Sequence, residues 1–260
     1  MSDLLSRMSS PRAALIQGAS RGIGLELARQ LVEARGFDTV IATSRYPEKS
    51  DGLRALEDQH LDHVHKVPLD VTDEESVKAA RREVAAIVDS LDLVFNVSGV
   101  LHDETTGLAP EKSLRDVDAS NFAQSFAVNA TGPILVARYF ADMLPRNEPA
   151  VFANMSARVG SIGDNHKGGW YAYRASKAAQ NQLTRTLSIE MGRRYKQTVC
   201  VALHPGTVDT RLSKPFQDRV PEEQLFSVER AAEQLLDVID GLDQDNTGQF
   251  FDWAGEPIEW

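Results

Sequence analysis

The sequence predicts a doubly wound, mostly parallel α/β sheet in a single domain, and three observations carry that prediction. Short apolar runs alternate with longer segments of helical period from residue 13 onward. No stretch rich in Pro or Ser divides the 260 residues, and nothing repeats at a solenoid interval. The composition, 42% hydrophobic and 25% charged, supplies one sizeable core and excludes a disordered or collagen-like chain.

Residues 1–11 read as a flexible N-terminal segment and 12–260 as the domain. The first strand, residues 13–16, runs into a glycine-rich turn and a helix with Ile23, Leu27 and Leu31 on one face. Strands follow at 39–43 and 64–69. Thr72 stands three residues before Glu75, the spacing of a capping box, and opens a helix carrying Val77, Val84 and Val88. The fourth, fifth, sixth and last strands are expected at 91–95, 150–153, 198–203 and 248–251. Between them lie long helical patterns at 119–143 and 171–195 and a shorter one at 228–239. Apolar strands each followed by a helix imply a parallel sheet covered on both faces and reached by right-handed crossovers. Phe126, Ile134, Val136 and Phe140 form a core stripe, while Leu135, Tyr139, Leu183 and Leu187 are expected on outward faces.

The 38 acidic residues against 28 basic ones give a formal net charge of −10, which disfavours a nonspecific grip on nucleic acid or an anionic membrane. Cys200, the single cysteine, excludes an intrachain disulfide and a cysteine-based zinc site; in its apolar strand it reads as a small buried hydrophobe. His60, His63 and His65 lack a carboxylate constellation and read as a polar edge, so no metal site is expected. Residues 1–11, with Asp3 and Arg7, never reach the apolar run of a signal peptide, and no segment approaches about 18 apolar residues. A cytoplasmic protein without membrane partners is expected.

Three motifs carry chemistry. Gly18-Ala19-Ser20-Arg21-Gly22-Ile23-Gly24 sits at the first strand-to-helix turn, where glycines let the backbone approach a pyrophosphate and the helix N-terminus offers free N–H donors. Asn96-Val97-Ser98-Gly99 follows the fourth strand, at the end of a parallel sheet where ligands gather. Tyr173 and Lys177 stand four residues apart in a helical pattern, on one face, so the ammonium is placed to favour the phenolate.

Taken in order with Asn129 in Val128-Asn129-Ala130-Thr131-Gly132 and with residues 205–210 (Pro-Gly-Thr-Val-Asp-Thr), these motifs resemble the short-chain dehydrogenase/reductase family over residues 12–260. Gly160-Ser161-Ile162, residues 168–173 (Gly-Gly-Trp-Tyr-Ala-Tyr) and the tail from Gly248 are most similar to its small carbonyl-reductase and C-factor-like group. The resemblance implies a Rossmann-type fold and a dimer or tetramer paired through the two long helices. It implies that Tyr173 protonates a carbonyl oxygen while NADPH delivers hydride, that Lys177 lowers the phenol pKa and holds the nicotinamide ribose, and that Asn129 fixes a water leading to solvent. The cofactor would lie on Gly18, Ser20, Arg21, Gly22, Ile23 and Gly24, on Asp70 and Val71 at the adenine, and on Asn96, Ser98 and Gly99. Pro205, Gly206, Val208 and Thr210 would position the carboxamide end.

The second strand ends in Thr43-Ser44-Arg45, with no carboxylate where an NAD site needs one, and Arg21 and Arg45 suit a 2′-phosphate. NADP(H) is therefore expected. The implied function is reduction of a small, partly apolar aldehyde or ketone, with a lid over residues 211–226 presenting Leu212, Phe216, Val220 and Leu225. The alternative is an NADP(H)-binding signalling protein of the same fold without turnover. Gln17 stands where the family has threonine, and Val97-Ser98 where it has Asn-Ala. The serine slot counted back from Gly160 falls on Ala157. Ser156 is the first substitute if the strand end twists, Ser161 the second, and a site without a serine the third.

Overall fold

The computed structural model describes residues 3–260, and of Arg219 only the backbone. The strands are β1 (Ala13–Gln17), β2 (Thr39–Ser44), β3 (Val64–Pro68), β4 (Leu93–Asn96), β5 (Ala150–Met155), β6 (Thr198–His204), β7 (Thr207–Val208), β8 (Leu225–Phe226) and β9 (Phe250–Asp252). Seven of them form one parallel sheet in the order β3-β2-β1-β4-β5-β6-β9. The chain builds outward from β1 to β3 and then restarts at β4 on the other side of β1. The order therefore reverses between β1 and β4, which opens a crevice beyond their carboxyl ends.

Strand alternation makes two cores. Ala14 and Ile16 face α1 (Gly22–Glu33), α2 (Asp51–Gln59) and α7 (Val228–Asp240), joining Leu27, Leu31, Leu53, Leu235 and Ile239. Ala13 and Leu15 face the other layer, with Val77 and Val84 of α3 (Glu74–Ala85), Val136 and Phe140 of α5 (Gly132–Phe140) and Met191 of α6 (Tyr171–Arg194). Cys200 is buried in this second core, and burial pushes its thiol up to about 12.

Several expectations are corrected. The N-cap of α3 is Asp73, whose carboxylate accepts from Glu75 N at 3.0 Å, because the Thr72 N–H and hydroxyl are both given to Asp70 Oδ1. The helix expected over 119–143 is α4 (Ala119–Phe126), a π turn over Ala127–Thr131, α5 and a closing 3-10 turn. Phe126 is half-buried and stacks on Phe122 instead of entering the core. Leu187 is buried in the second core, not outward-facing, and the Tyr139 hydroxyl donates to Glu74. The N-terminal segment expected to be flexible docks: Leu4, Leu5 and Met8 are buried, and Leu4 N and Leu5 N donate to Asp240 at the end of α7.

Two features have no counterpart in the sequence reading. β7 and β8 pair with each other and bracket the base of the lid. Beyond β9 the chain folds back antiparallel, with Asp252 N donating to Glu256 O at 2.9 Å and Ile258 N to Phe250 O at 2.7 Å, which covers the sheet edge.

Candidate active site

The glycine turn is made by close backbone approach. Gly18 has φ +92°, and a Cβ there would lie 2.7 Å from Ser98 N; one on Gly24 would lie 2.9 Å from the Gly18 carbonyl carbon. Gly22, at φ +55°, faces open space apart from Thr210 Cγ2 at 3.6 Å. The turn thus packs against the segment after β4 and leaves the start of α1 exposed toward the segment after β6, a cradle with free helix N–H groups. Arg21 lies at its mouth; partial burial and the guanidinium groups of Arg211 and Arg45 lower its pKa below the ordinary value. Three cations converge there, and the residues fit a phosphate-bearing dinucleotide.

The remaining predicted cofactor residues divide. Ile23 is half-buried between α1 and the β7–β8 pair. Ser20 offers its carbonyl to Ser50 Oγ at 2.6 Å, and Ser98 Oγ donates to Gln17 Oε1 at 2.6 Å, so Gln17 braces the cleft where the family's threonine would stand. Asp70 and Val71 lie just beyond β3, Val71 buried against Gly132. Pro205, Gly206 and Thr210 follow β6 and reach the glycine turn through Thr210, whereas the Val208 side chain is buried with Phe226 under the lid. Asn96 is corrected: at 1% exposure its amide donates to Asn154 Oδ1 at 2.8 Å, and Asn154 in turn donates to Thr184, so it braces the sheet beneath the cleft.

Tyr173, Ser176 and Lys177 lie in the first two turns of α6. Asn129, in the π turn, accepts from Val100 N at 2.8 Å and donates to Val100 O and to Ser176 Oγ. The π turn is what lets a buried Asn leave the helical register to do this, and such turns recur at functional sites. Gly99 lies in front of both: a Cβ there would sit 3.4 Å from Asn129 Oδ1 and 3.6 Å from Lys177 Nζ. Burial raises the Tyr173 phenol pKa and lowers the Lys177 ammonium to about 7. Tyr173 is accordingly a protonated acid throughout the neutral range.

The serine question is also corrected. Ser156 is 3% exposed and its hydroxyl proton goes to Asn181 Oδ1 at 2.6 Å, two turns along α6 from Tyr173. Ser161 Oγ accepts from Asp164 N at 3.0 Å, which leaves its own proton uncommitted. Ala157, at the slot itself, brings no hydroxyl.

An aromatic wall stands beside Tyr173. Trp170 adopts a left-handed conformation, φ +51°, which is strained for a bulky residue and marks a site that the surroundings over-determine. Here the Glu111 carbonyl accepts from Trp170 N at 2.6 Å and the Glu111 carboxylate from Ala172 N at 3.2 Å, capping α6 from a loop some sixty residues away. The Trp170 ring meets Tyr173 edge-on at 6.2 Å and Phe216 of the lid at 4.9 Å. His102 fastens the lid, packing on Phe216 at 6.0 Å with Nε2 within 3.2 Å of the Arg211 and Leu212 carbonyls. Sequence reasoning named Phe216, and Trp170 only as part of the 168–173 motif without a role, and it missed Glu111 and His102. Only the Gly168-Gly169 pair before Trp170 signalled an unusual backbone there.

Residues 12–221 match the short chain dehydrogenase family. The chain belongs to that family. A dehydrogenase of Rhodococcus sp. strain AD45, named for 1-hydroxy-2-glutathionyl-2-methyl-3-butene, is 33% identical over 248 residues, covering 95% of this chain and 98% of that one. The C-signal protein of Myxococcus xanthus is 35% identical over 148 residues, 57% of this chain and 84% of that one. The structure of NADPH-bound carbonyl reductase from chicken fatty liver superposes with a TM-score of 0.83 at 28% identity, covering 100% of this chain and 99% of that one. Among the described residues, no helix of this short chain dehydrogenase is long and apolar enough to cross a membrane, and no three His, Cys, Asp or Glu side chains are grouped to hold a metal.

Proposed function

We propose that this oxidoreductase uses NADP(H) to reduce small, partly apolar aldehydes or ketones, and runs in reverse as an alcohol dehydrogenase. One juxtaposition carries the reading: Gly99, Asn129 and Lys177 meet beyond the carboxyl end of β4, with Tyr173 one turn before Lys177 on α6. Residues 18–24 with Ser98 and Gly99 would hold the dinucleotide, with Arg21 and Arg45 on the 2′-phosphate, Asp70 at the adenine and residues 205–210 at the nicotinamide. The bound cofactor supplies the hydride. Tyr173 Oη donates its proton to the carbonyl oxygen, and the Lys177 ammonium stabilises the phenolate left behind. Asn129 keeps the π turn against Val100 and so holds the cleft open for proton exchange. The aromatic wall and lid exclude water and favour an apolar substituent on the carbonyl carbon.

NADPH oxidation across a panel of small aldehydes, ketones, quinones and diketones tests this. Turnover of at least one class is expected, with NADPH bound more tightly than NADH; NADPH binding without turnover on any of them favours the signalling reading, which the likeness to C-signal supports. A homodimer or homotetramer belongs to the same proposal, resting on the half-exposed Leu135 and Leu183 of α5 and α6. A monomer mass by light scattering at micromolar concentration overturns it.

A further inference from the structure

Gln180 stands one turn beyond Lys177 on α6, in no motif. Its side chain is 1% exposed, and its Oε1 accepts from Lys177 Nζ at 2.9 Å. The Met155 carbonyl at the end of β5 accepts a second Nζ proton at 2.7 Å. An ammonium has three N–H donors, so one remains. The side of Nζ toward the cleft is the one Gly99 leaves open, since a side chain there would come within 3.6 Å of it. The stem is held as closely: a Cβ on Gly160 would lie 2.8 Å from Lys177 Cβ.

The other end of Gln180 shows what the residue is for. Its Nε2 is buried without a hydrogen-bond partner. An unpaired buried donor is costly, and a methionine would fill the same volume without it. The amide is accounted for by its carbonyl oxygen. The groups facing Lys177 are the Met155 carbonyl from β5, Gly99 from the segment after β4, Asn129 from the π turn, and Tyr173 and Gln180 from α6. None is charged near neutral pH, and Tyr173 is the only one that titrates. Burial lowers Lys177 to about 7, and the groups that take its N–H donors are two neutral acceptors.

We propose that Gln180 is the positioning residue for Lys177: with Met155 O it fixes the ammonium so that a single N–H is directed into the cleft. This rests on the reading that Lys177 serves Tyr173. It follows that a bound cofactor receives one hydrogen bond from Lys177 unless the Gln180 contact is released.

Protein labelled with ¹³Cε-lysine, with the Lys177 signal assigned through Lys177→Met, allows its titration to be followed without any assay of turnover. Gln180→Met removes the acceptor and is expected to weaken proton binding at Lys177 roughly tenfold, about one pH unit downward. Gln180→Glu keeps an acceptor and adds charge, and is expected to move the midpoint above that of the wild type. In parallel, Gln180→Met should lower kcat about tenfold with KM for NADPH changed less than about threefold, as expected for a residue acting on the acid's partner and not on binding. An unmoved Lys177 midpoint in either folded variant overturns the proposal. A wild type that oxidises no NADPH, yet shows both shifts, overturns the reductase reading and leaves the placement of Lys177 standing.

Discussion

At residues 18–24 the chain reaches its working geometry within seven residues, through Gly18 at φ +92° and Gly22 at φ +55° and a turn packed onto Ser98. Over Tyr173 the geometry is assembled instead from three distant segments: the loop carrying His102 and Glu111, the turn with Trp170, and the lid with Phe216 meet only in the folded chain. The first region is rigid backbone whose demands any side chain would violate. The second is a set of interlocked rings and hydrogen bonds, one of them carried by a strained residue, that can be rearranged one contact at a time. A cofactor common to many reactions suits the first; a substrate peculiar to one enzyme suits the second.

Tyr173 is the proposed proton donor, so its removal should have the largest effect. Tyr173→Phe keeps the ring against Trp170 and removes the proton; kcat is expected to fall roughly 100- to 10,000-fold with NADPH affinity retained. Near-normal turnover would take Tyr173 out of the mechanism. Ala157→Ser should act in the opposite sense, since it places a hydroxyl at the position that the family resemblance assigns to the serine. A gain of about tenfold in kcat is expected, less than the full worth of an oxyanion donor. Ser161→Ala is expected to lower turnover and Ser156→Ala to leave it within about twofold while loosening the Asn181 contact. A larger loss from Ser156→Ala than from Ser161→Ala would reinstate Ser156.

The division between the regions is also the division in what the sequence discloses. All seven strands of the main sheet were legible, because a buried parallel strand is a continuous apolar run and its neighbours are helices of regular period. Gly18, Gly22 and Gly24 were legible because their conformational demands are local. The π turn at Asn129 was not, since one extra residue in a helical turn leaves the apolar period almost unchanged. The partners of Asn96 and Ser156, Asn154 and Asn181, were not legible because only the folded sheet brings them near. The α6 cap supplied by Glu111 has no capping spacing at all, being made by a side chain from another loop. Gln180 carried a signal in retrospect, a polar residue three positions beyond Lys177 on the same buried face.

His204 sharpens the comparison at the seam, where β6 passes into Pro205 and Gly206. Burial, and then the nearby Arg158, lower its pKa to about 4, with Asp252 and Asp164 opposing, and its Nδ1 has no partner. The folded protein therefore holds His204 neutral where the unfolded chain would bind a proton. Since the folded value lies below the unfolded one, stability should be full above about pH 6.5 and fall as the pH is lowered toward about 4. His204→Gln should flatten that slope by about 1–2 kcal/mol across the window in chemical denaturation, after allowance for partial contact with water. An unchanged slope would mean that His204 is protonated at little cost and that the seam is open to solvent.

The smallest expected effect tests the second region alone. Phe216 closes on Trp170 from a lid that is bracketed by β7 and β8 and fastened by His102, so Phe216→Ala removes one ring and leaves the frame that carries it. The residues of the glycine turn are untouched, and NADPH affinity should stay within about twofold. A carbonyl bearing an aromatic ring loses a stacking partner worth about 0.5–1.5 kcal/mol, so its KM should rise roughly threefold to tenfold. A short aliphatic aldehyde never used that contact and should show little change. The informative quantity is the ratio of kcat/KM for the two substrates, which is expected to fall in the variant while the absolute rate on the aliphatic one holds. If both substrates lose equally, Phe216 serves lid closure and not recognition; if NADPH affinity falls with them, the two regions are coupled through Arg211 and Thr210, which join the lid to the glycine turn.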